Sequence, residues 1–400
     1  MTALTISAAP FSLLRRSAAA TGAVFALSGS LQSTWVSRLP EVKGHIHAAT
    51  GSLGIALLGS AIGSIVSTFF TGRLVKRYSS RVVVAATCAL SNIALVGLGL
   101  VHSVTQLGLV LVVYGFGYGS WDVAMNVHGH AVEAAAGRPW MPRYHAAWSV
   151  GGFAFAGVGA LAAGVHMPVP VHFGLVAICA MMGVLGCLTM FFDDRDVPTE
   201  EVVTHVPLGR LFTRQLILLG IVMACSTLIE GAASDWLGIY FDDVRKVSHG
   251  AGAAAYATFA VAMAAGRGAG TWTIAWLGRG RAVRFSGVLA LGGVALLLLS
   301  PDVAFAYVGA AFWGLGTALV FPAVISAAGD TPGRSAEAIS AVTPIGYSGF
   351  LFGPPLIGLL AQQIGLNRSL WVVGALAVVM IALAGAARER TEVGTAPEPT

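Results

Sequence analysis

The sequence predicts an all-α membrane protein in which twelve transmembrane helices form two pseudo-symmetric six-helix bundles. Of its 400 residues, 56% are hydrophobic and only 10% are charged, whereas about 25% of the residues in a soluble protein are charged. The apolar runs are about 20 residues long, as a helix that crosses the bilayer requires, and they do not alternate like the strands of a β-barrel. Similar segments recur in the two halves of the chain, which indicates two related bundles.

The apolar runs give the order of the twelve helices along the chain. The first six lie near residues 18–37, 51–72, 82–102, 106–133, 144–164 and 172–192, and the last six lie near 214–238, 250–273, 283–300, 304–327, 338–363 and 369–387. Because twelve is an even number, both termini are expected on the same side of the membrane.

The two halves of the chain are predicted to be separate bundles joined by a polar connector. Residues 1–192 form the first bundle, 193–213 a cytoplasmic linker, 214–387 the second bundle and 388–400 a disordered cytoplasmic tail. The linker carries two prolines and a cluster of acidic residues, which is typical of a connection between domains.

An internal repeat relates the two bundles. YGFGYG at 114 resembles WGLGTA at 313, and GGFAFAG at 151 resembles SGFLFGP at 348. The fourth helix is therefore expected to match the tenth, and the fifth to match the eleventh. Their matching order predicts bundles related by an axis along the membrane normal.

The basic residues predict the orientation of the chain. Most of the 23 Lys and Arg residues fall at the termini or in connectors on the same side, and positive charge favours the cytoplasmic side. Both termini are therefore expected in the cytoplasm. The net charge of +5 does not indicate a nucleic-acid partner, because the basic residues lie in short connectors rather than in one continuous patch.

No cofactor or metal is expected. The four cysteines lie within apolar runs and form no disulfide framework or CxxC motif; they are Cys88, Cys179, Cys187 and Cys225. His128 and His130 have an HxH spacing, but a straight helix projects them to opposite sides and no third ligand lies nearby in the sequence. The sequence also has no phosphate-binding loop of the kind that ATP-driven proteins use.

The fourth helix carries ionisable residues at a depth where they are rare. Its segment GFGYGSWDVAMNVHGHAVE, residues 115–133, continues the apolar run that begins at Gln106. At about 100° per residue, Asp122 and Asn126 share one face of this helix. Charged residues within the bilayer usually face protein or a water-filled path, so Asp122 is a candidate functional residue. The alternative is a structural hydrogen-bonded pair with a neighbouring helix.

The seventh helix contributes a second acidic candidate. Glu230 shares a face with Ser234, whereas Asp235 and Trp236 point elsewhere and are expected near the outer interface. The alternative role of Glu230 is a helix–helix hydrogen bond or a buried pair with Arg267 of the eighth helix, since an arginine at that depth requires a partner.

His145, at the start of the fifth helix, is a candidate proton relay, because histidine changes its charge near neutral pH. The alternative is that its ring packs near the cytoplasmic gate.

Aromatic residues are candidate substrate contacts. Those that offer a flat face with a polar edge are Trp35, Tyr114, Tyr118, Trp121, Trp148 and Tyr347. Such faces suit stacking on a sugar ring or an aromatic solute in a central cavity. Trp121, which precedes Asp122, is the leading candidate. The alternative for each residue is packing within the membrane or at its interface.

The connector between the second and third helices resembles a signature of a known transporter family. In GRLVKRYSSR, residues 72–81, the glycine, leucine and basic positions of that signature are filled by Gly72, Leu74, Arg77 and Arg81. On this motif and its predicted helices, the chain resembles the major facilitator superfamily across nearly its whole length. The resemblance implies that Gly72, Arg77 and Arg81 take part in an inward gate.

The same connector departs from the signature at two positions. Lys76 stands where an acid is usual, and Ser79 replaces a second glycine. The charge pairing that latches the gate in the family is therefore expected to differ in this chain.

Within the superfamily, WDVAMN at 121–126 resembles the acid-x-x-x-asparagine segment of the fucose-permease branch. Further segments resemble bacterial relatives of that branch: WVSRLPEVK at 35, YHAAWSVGG at 144, IEGAASDW at 229 and GFLFGPPLIG at 349. The resemblance implies proton coupling through Asp122 and a place in the bacterial cytoplasmic (inner) membrane. The fucose permeases have a second acid late in the first helix, where this chain has Val36.

Residues and resemblance together predict a secondary active transporter, not an enzyme, that moves a small solute such as a sugar or related metabolite by alternating access. It is expected to bind protons and substrate and to work as a monomer in the lipid bilayer. The proton-coupling candidates are Asp122, Glu230 and His145, and the substrate-binding candidates are Trp121, Asn126, Trp35, Trp148 and Tyr347.

Three alternatives remain open. A proton-driven exporter of amphipathic or aromatic compounds fits the apolar cavity equally well. A non-transporting membrane sensor is a remote alternative, because the chain has no long soluble signalling domain. An intramembrane enzyme that uses Asp122, His128, His130 and His145 is also remote, because no catalytic signature accompanies these residues.

Overall fold

The structure is a computed structural model that describes residues 11–137, 140–194, 213–331 and 335–388. Within these ranges the chain is helical apart from short connectors, and it forms no β-strand. The helices form two bundles of six membrane-crossing segments, which confirms the predicted fold class. We number these segments as the first to twelfth spans.

The first bundle contains spans one to six. Its helices are Phe11–His45, Thr50–Leu98, Val104–Ala136, Met141–Gly164 and Val169–Leu188. Thr50–Leu98 holds both the second and the third span, because Ser79 breaks the helix with a φ of 73° and a ψ of 156°.

The second bundle contains spans seven to twelve and has more interruptions. The seventh span comprises Arg214–Ala232, the π-helical turn Ala233–Leu237 and Gly238–Asp243. The eighth span comprises His249–Gly268 and Gly270–Leu277. The ninth span is the single helix Arg279–Leu299. The tenth comprises Val303–Thr317 and Val320–Gly329; the eleventh, Ser335–Ile364; and the twelfth, Leu366–Ser369, Trp371–Leu383 and the 3₁₀ turn Ala384–Ala387.

Length and hydropathy agree with this count. In the described ranges, nine helices are long and apolar enough to cross a membrane, and one of them, Thr50–Leu98, holds two spans. The first and eighth spans complete the twelve. The first span is less apolar because it buries a row of hydroxyl side chains, among them Ser17, Thr21, Ser28 and Thr34.

The linker predicted at 193–213 and the tail predicted at 388–400 lie almost entirely outside the described residues. The domain boundaries at these positions therefore stay predictions.

Matched glycines bring equivalent helices together in the two bundles. Gly115 of the fourth span lies against the backbone of Ser60 in the second, and Gly314 of the tenth lies against the backbone of Phe259 in the eighth. A Cβ atom at either glycine would overlap a carbonyl oxygen, so the helices approach as closely as only small residues allow. These contacts match across the YGFGYG and WGLGTA segments, as the internal repeat predicts.

The spans alternate in direction, so residues 11 and 388 lie at one end of the molecule. We call this the terminal end. The opposite end, which carries the connectors at 46–49, 99–103 and 244–248, is the distal end.

The two bundles meet closely at the distal end. Nζ of Lys43 in the first span donates to Oδ2 of Asp243 in the seventh at 2.7 Å. Gly164 of the fifth span lies against Gly250 of the eighth. We call this region of contact between the bundles the distal seam.

The fourth and tenth spans take little part in the contact between the bundles. Among the described residues, neither the fourth span nor Val320–Gly329 of the tenth makes extensive contact with the opposite bundle. We infer that these spans border a space between the bundles that is closed at the distal seam and open towards the terminal end. We call this space the central cavity.

Candidate functional site

Asp122 is half-buried in the fourth span, and Asn126 lies one helical turn further along. Nδ2 of Asn126 donates to the carbonyl oxygen of Asp122 at 2.9 Å and lies 3.4 Å from Oδ1 of its carboxylate. In the described part of the chain, no cationic group pairs with Asp122. The shared face was predicted, but the partner lies on the same helix rather than on a neighbouring one. The carboxylate is therefore oriented but not neutralised.

A hydrogen-bonded aromatic pair lies beside Asp122. Tyr118 is one turn before Asp122 on the fourth span, and Nε1 of Trp148 in the fifth span donates to its hydroxyl at 3.1 Å. Tyr118 also stacks on Tyr114, with ring centroids 5.8 Å apart. Both Tyr118 and Trp148 are half-buried, so the pair offers a solute a flat surface with a polar edge.

Tyr347 of the eleventh span faces the same region from the second bundle. Its side chain is 50% exposed and lies within electrostatic range of both Asp122 and Glu230. The rings of Phe321 and Phe350 are 6.4 Å and 6.3 Å away, centroid to centroid. Tyr347 therefore lies near acidic residues of both bundles and next to an aromatic cluster.

Glu230 forms an ion pair with Arg267. Nη2 of Arg267 lies 3.2 Å and 3.3 Å from the two carboxylate oxygens of Glu230. This is the partner that an arginine within the eighth span requires, and it agrees with the structural alternative considered for Glu230. Both side chains remain partly exposed, 17% for Glu230 and 30% for Arg267, so the pair faces the cavity.

Tyr256 of the eighth span links the two bundles, a role that the sequence did not reveal. Its hydroxyl lies near Ser33 in the first span and Ser234 in the seventh. Nearby in the first bundle, Oη of Tyr114 donates to Oε1 of Gln32 at 3.2 Å. These residues come from four different spans, and no motif in any one span indicates that they meet.

Asp235 faces the opposite bundle, which the helical wheel did not predict. The helical wheel assumed a regular α-helix, but the seventh span is π-helical over Ala233–Leu237. A π-helical turn holds an extra residue and shifts those that follow, and such turns are frequent at functional sites. The turn packs against the first and eighth spans, and Asp235 lies within electrostatic range of Tyr256, as Glu230 does. Asp235 therefore lies between the bundles.

Two of the predicted substrate contacts do not line the cavity. Trp121 is 0% exposed and Trp35 is 3% exposed. Trp35 packs edge-on against Phe173, with centroids 6.5 Å apart. Neither ring offers a surface to a solute in this structure, which corrects the expectation that Trp121 leads the set. Asp122 reaches the cavity because adjacent helical residues point about 100° apart.

His145 lies exposed at the terminal end of the fifth span. Its ring meets Phe25 edge-on at a centroid distance of 5.4 Å. It also lies within electrostatic range of Arg267 and His130. The ring is therefore near the mouth of the central cavity, between solvent and the charged residues further in.

The residues of the predicted gate, Gly72, Arg77 and Arg81, are exposed at the terminal end. The guanidinium of Arg77 lies 5.2 Å from the centroid of the neighbouring Tyr78 ring. Within the described ranges, no ion pair joins Arg77 or Arg81 to the second bundle. The role of these residues in a gate stays a prediction.

A buried polar cluster joins four parts of the first bundle. His128 is buried and His130 exposed, as the helical projection predicts. Nε2 of His128 lies 3.1 Å from Oγ of Ser17, and Nδ1 lies 3.1 Å from Oδ2 of Asp194. The other carboxylate oxygen of Asp194 accepts from the backbone N–H of Ser80 at 2.9 Å.

This cluster resembles a hydrolase triad in its order of contacts, but its burial argues against catalysis. Ser17 and His128 are fully buried, so no substrate reaches the hydroxyl. Burial alone would raise the pKa of the Asp194 carboxyl, but the hydrogen bonds from His128 and Ser80 outweigh it and hold that pKa below its ordinary value. The cluster therefore ties the sixth span to the start of the third.

Comparison with known proteins gives matches over nearly the whole chain. The sequence model of the protein family described as the Major Facilitator Superfamily matches residues 18–351 of this chain. The chain is 33% identical to the uncharacterised transporter y4wD of Sinorhizobium fredii over 364 residues, which cover 90% of this chain and 95% of that protein. It is 29% identical to an uncharacterised MFS-type transporter of Yersinia pestis, over 92% of this chain and 94% of that one.

Solved structures share the fold at low sequence identity. The nucleoside transporter NupG superposes with a TM-score of 0.74 at 15% identity, covering 94% of this chain and 98% of that chain. A bacterial homolog of the human lysosomal transporter Spinster, in an inward-facing and unoccupied conformation, gives 0.75 at 13% identity, covering 95% and 97%. At these identities the likeness establishes the fold alone.

Proposed function

The chain belongs to the major facilitator superfamily, and on this premise we propose that it is a secondary active transporter that moves a small solute by alternating access, coupled to protons. Its relatives are membrane transporters and not enzymes, so membrane transport itself follows from the family. The solute, the coupling ion and the alternation are our proposal.

The arrangement of charges across the central cavity carries the proposal. Glu230 is neutralised by Arg267 at 3.2 Å, whereas Asp122 on the opposite bundle has no cationic partner among the described residues. Tyr347 lies within electrostatic range of both acids. An uncompensated carboxylate within the bilayer that faces a water-accessible space is a common feature of proton pathways.

In the proposed cycle, Asp122 takes up a proton when the cavity opens at the distal end. The neutral carboxyl group is less costly to enclose than the anion, so the loaded carrier can close and reopen at the terminal end. The proton and the solute then leave to the cytoplasm. Asn126 holds the carboxylate in position, and His145 at the mouth passes protons to solvent.

The proposed solute is a sugar or a related metabolite. Its hydroxyl groups would bind Asp122, Asn126 and the Glu230–Arg267 pair, and its ring would stack on Trp148 or Tyr347. NupG, which has the same fold, is named as a nucleoside transporter, and a nucleoside also carries a sugar ring.

A second candidate is a proton-driven exporter of amphipathic or aromatic compounds. The aromatic cluster of Tyr347, Phe321 and Phe350 favours it, because Tyr347 and Phe350 are well exposed and meet at 6.3 Å. Apolar, flat surfaces of this kind bind aromatic solutes without many hydrogen bonds.

We also propose that the protein is a monomer in the bacterial cytoplasmic membrane with both termini in the cytoplasm. The bacterial relatives and the basic residues of the terminal end support this orientation. In the closed state of that end, Gly72, Arg77 and Arg81 would approach the second bundle and form the gate.

The proposal is tested in proteoliposomes that contain a pH-sensitive dye. Sugars and nucleosides form one panel and amphipathic aromatic cations another, with protein-free liposomes as the control. A sugar or nucleoside that carries protons inward supports the symporter. If only the aromatic compounds move protons, and the protons move in the direction opposite to the compound, the protein is assigned as an exporter. Absence of proton movement with a solute that is nevertheless taken up contradicts proton coupling.

A further inference from the structure

We propose that Asp235 is a second proton-binding site of this transporter and that the distal seam closes only when Asp235 is protonated. The inference rests on the alternating access proposed above. It concerns a residue that the assignment of Asp122 does not involve, on the opposite bundle.

Asp235 lies at the distal seam itself. Its π-helical turn packs against the first and eighth spans. Three residues further along, Gly238 faces Pro40 of the first span, so closely that a Cβ on Gly238 would lie 3.1 Å from Pro40 Cγ. Closure of the bundles at this point therefore encloses the turn that carries Asp235.

Asp235 has no cationic partner in the part of the chain that the structure describes, and no hydrogen bond to its carboxylate occurs there. Three other acids near the distal end are paired: Glu41 with Arg38, Asp242 with His249 and Asp243 with Lys43. Arg38 and Lys43 of the first span are thus already engaged, and His249 of the eighth lies beside Asp242. Asp235 differs from its neighbours in this respect.

The titratable groups around Asp235 do not supply the missing charge. Tyr256 of the eighth span lies within electrostatic range and is neutral near neutral pH. On the seventh span itself, Glu230 is engaged with Arg267 and would add only negative charge. From the first span, Lys43 is held by Asp243 at 2.7 Å.

An unpaired carboxylate in a closed seam within the membrane is costly as an anion and far less so as a neutral acid. Closure and protonation therefore favour each other, by the reciprocity that links a bound proton to a conformational equilibrium. When the seam opens, water reaches Asp235 and the anion is stable. The outer solution can then supply the proton that permits closure.

The inference is tested by measuring the distance across the distal end as a function of pH. Nitroxide labels are attached to Ala49→Cys and Val244→Cys, exposed positions in the distal connectors of the two bundles. The four native cysteines are replaced by alanine, and the protein is placed in lipid nanodiscs. Electron–electron double resonance then gives the fractions of closed and open distal ends between about pH 5 and pH 9, without any added solute.

In the wild type we expect the ratio of closed to open distal ends to rise as pH falls, by up to about tenfold per pH unit for a single linked proton. Asp235→Asn should stay closed across the range, because the amide carries no charge at any pH. Asp235→Glu should retain the pH response. Asp302→Asn is the matched control: it removes a carboxylate that is exposed at the distal end and keeps a side chain that can cap its helix, so it should respond as the wild type does.

An Asp235→Asn variant that keeps the wild-type pH response overturns this inference and leaves alternating access intact. Closure that follows the sodium concentration at constant pH overturns it in favour of a metal cation. A distal end that never opens in any variant contradicts alternating access itself, and with it the role of Asp235.

Discussion

Nη2 of Arg267 lies 3.2 Å and 3.3 Å from the two carboxylate oxygens of Glu230, so one ion pair joins the seventh and eighth spans within the central cavity. The pair is neutral as a unit. Among the described residues, two acids between the bundles then remain without a cationic partner: Asp122 of the first bundle, in the cavity, and Asp235 of the second, in the distal seam. Because this contact neutralises Glu230, the negative charge between the bundles is left on Asp122 and Asp235.

Removing one partner of this pair should destabilise the protein more than removing both. Glu230→Gln leaves the guanidinium of Arg267 without its counter-ion, at a cost of roughly 1 to 3 kcal/mol, towards the lower value because both side chains are partly exposed. The double variant Glu230→Gln with Arg267→Met should recover part of that loss. Thermal unfolding in detergent measures both. A double variant that loses the sum of the two single effects would rule out a direct pair.

Ser79 is predicted to be strained. Its backbone (φ 73°, ψ 156°) matches that of Gly278 (φ 75°, ψ 153°) at the corresponding joint of the second bundle, a region that only glycine adopts readily. Ser79→Gly should stabilise the protein by about 1 kcal/mol, and Gly278→Ser should destabilise it by about 1 to 3 kcal/mol. Unfolding midpoints in the same detergent test both. Destabilisation by Ser79→Gly would mean that contacts of the serine side chain outweigh the strain.

Asp194 is predicted to make stability depend on acid pH. Its hydrogen bonds lower the pKa of the Asp194 carboxyl in the folded protein below the ordinary value of 3.8. The contribution of Asp194 to the free energy of unfolding is therefore complete above about pH 4, and it is lost as the pH falls through the pKa of the folded state. Asp194→Asn should cost roughly 1 to 3 kcal/mol near neutral pH, since it weakens the buried contacts with His128 and Ser80.

The test of Asp194 is unfolding at several pH values, with Asp302→Asn as an exposed control. Asp194→Asn should show a smaller loss of stability between about pH 5 and pH 3 than the wild type or the control shows. Parallel pH curves for all three proteins would contradict the assignment.

Two tryptophans should respond differently to the same substitution. Trp121 is buried in the core, so Trp121→Phe should reduce stability by roughly 1 kcal/mol and leave the apparent affinity for the solute unchanged. Trp148→Phe removes the hydrogen bond to Tyr118 at the cavity surface, which should weaken apparent affinity by about fivefold, the equivalent of one hydrogen bond. Equal effects of both variants on the concentration dependence of uptake would contradict this division.

The spans could be predicted from the sequence because bilayer thickness fixes the length of an apolar run, and residues within one helix have fixed relative directions. For this reason two predictions were correct: Asp122 and Asn126 share a face of the helix, and His128 and His130 point in opposite directions. The sequence did not predict which face of a span meets the cavity. Lipid and a neighbouring helix both accept apolar side chains, so hydropathy did not indicate that Trp121 faces the core.

Contacts between distant parts of the chain and local changes of helix type left no sequence signal. His128 and Asp194 are 66 residues apart, and neither segment carries a motif that pairs them. The turn ASDWL contains neither proline nor glycine, yet it is π-helical. The wheel drawn for a regular helix therefore failed at Asp235, where the seventh span meets the opposite bundle.

Proton coupling through Asp122 is tested most directly by comparing two transport modes in Asp122→Asn proteoliposomes, once a transported solute has been found. In one, a proton gradient drives accumulation; in the other, preloaded solute exchanges with labelled solute without a gradient. We expect the variant to lose accumulation and to retain exchange, because the amide cannot bind and release a proton but leaves the solute site in place. Accumulation at the wild-type level in the variant would contradict the account.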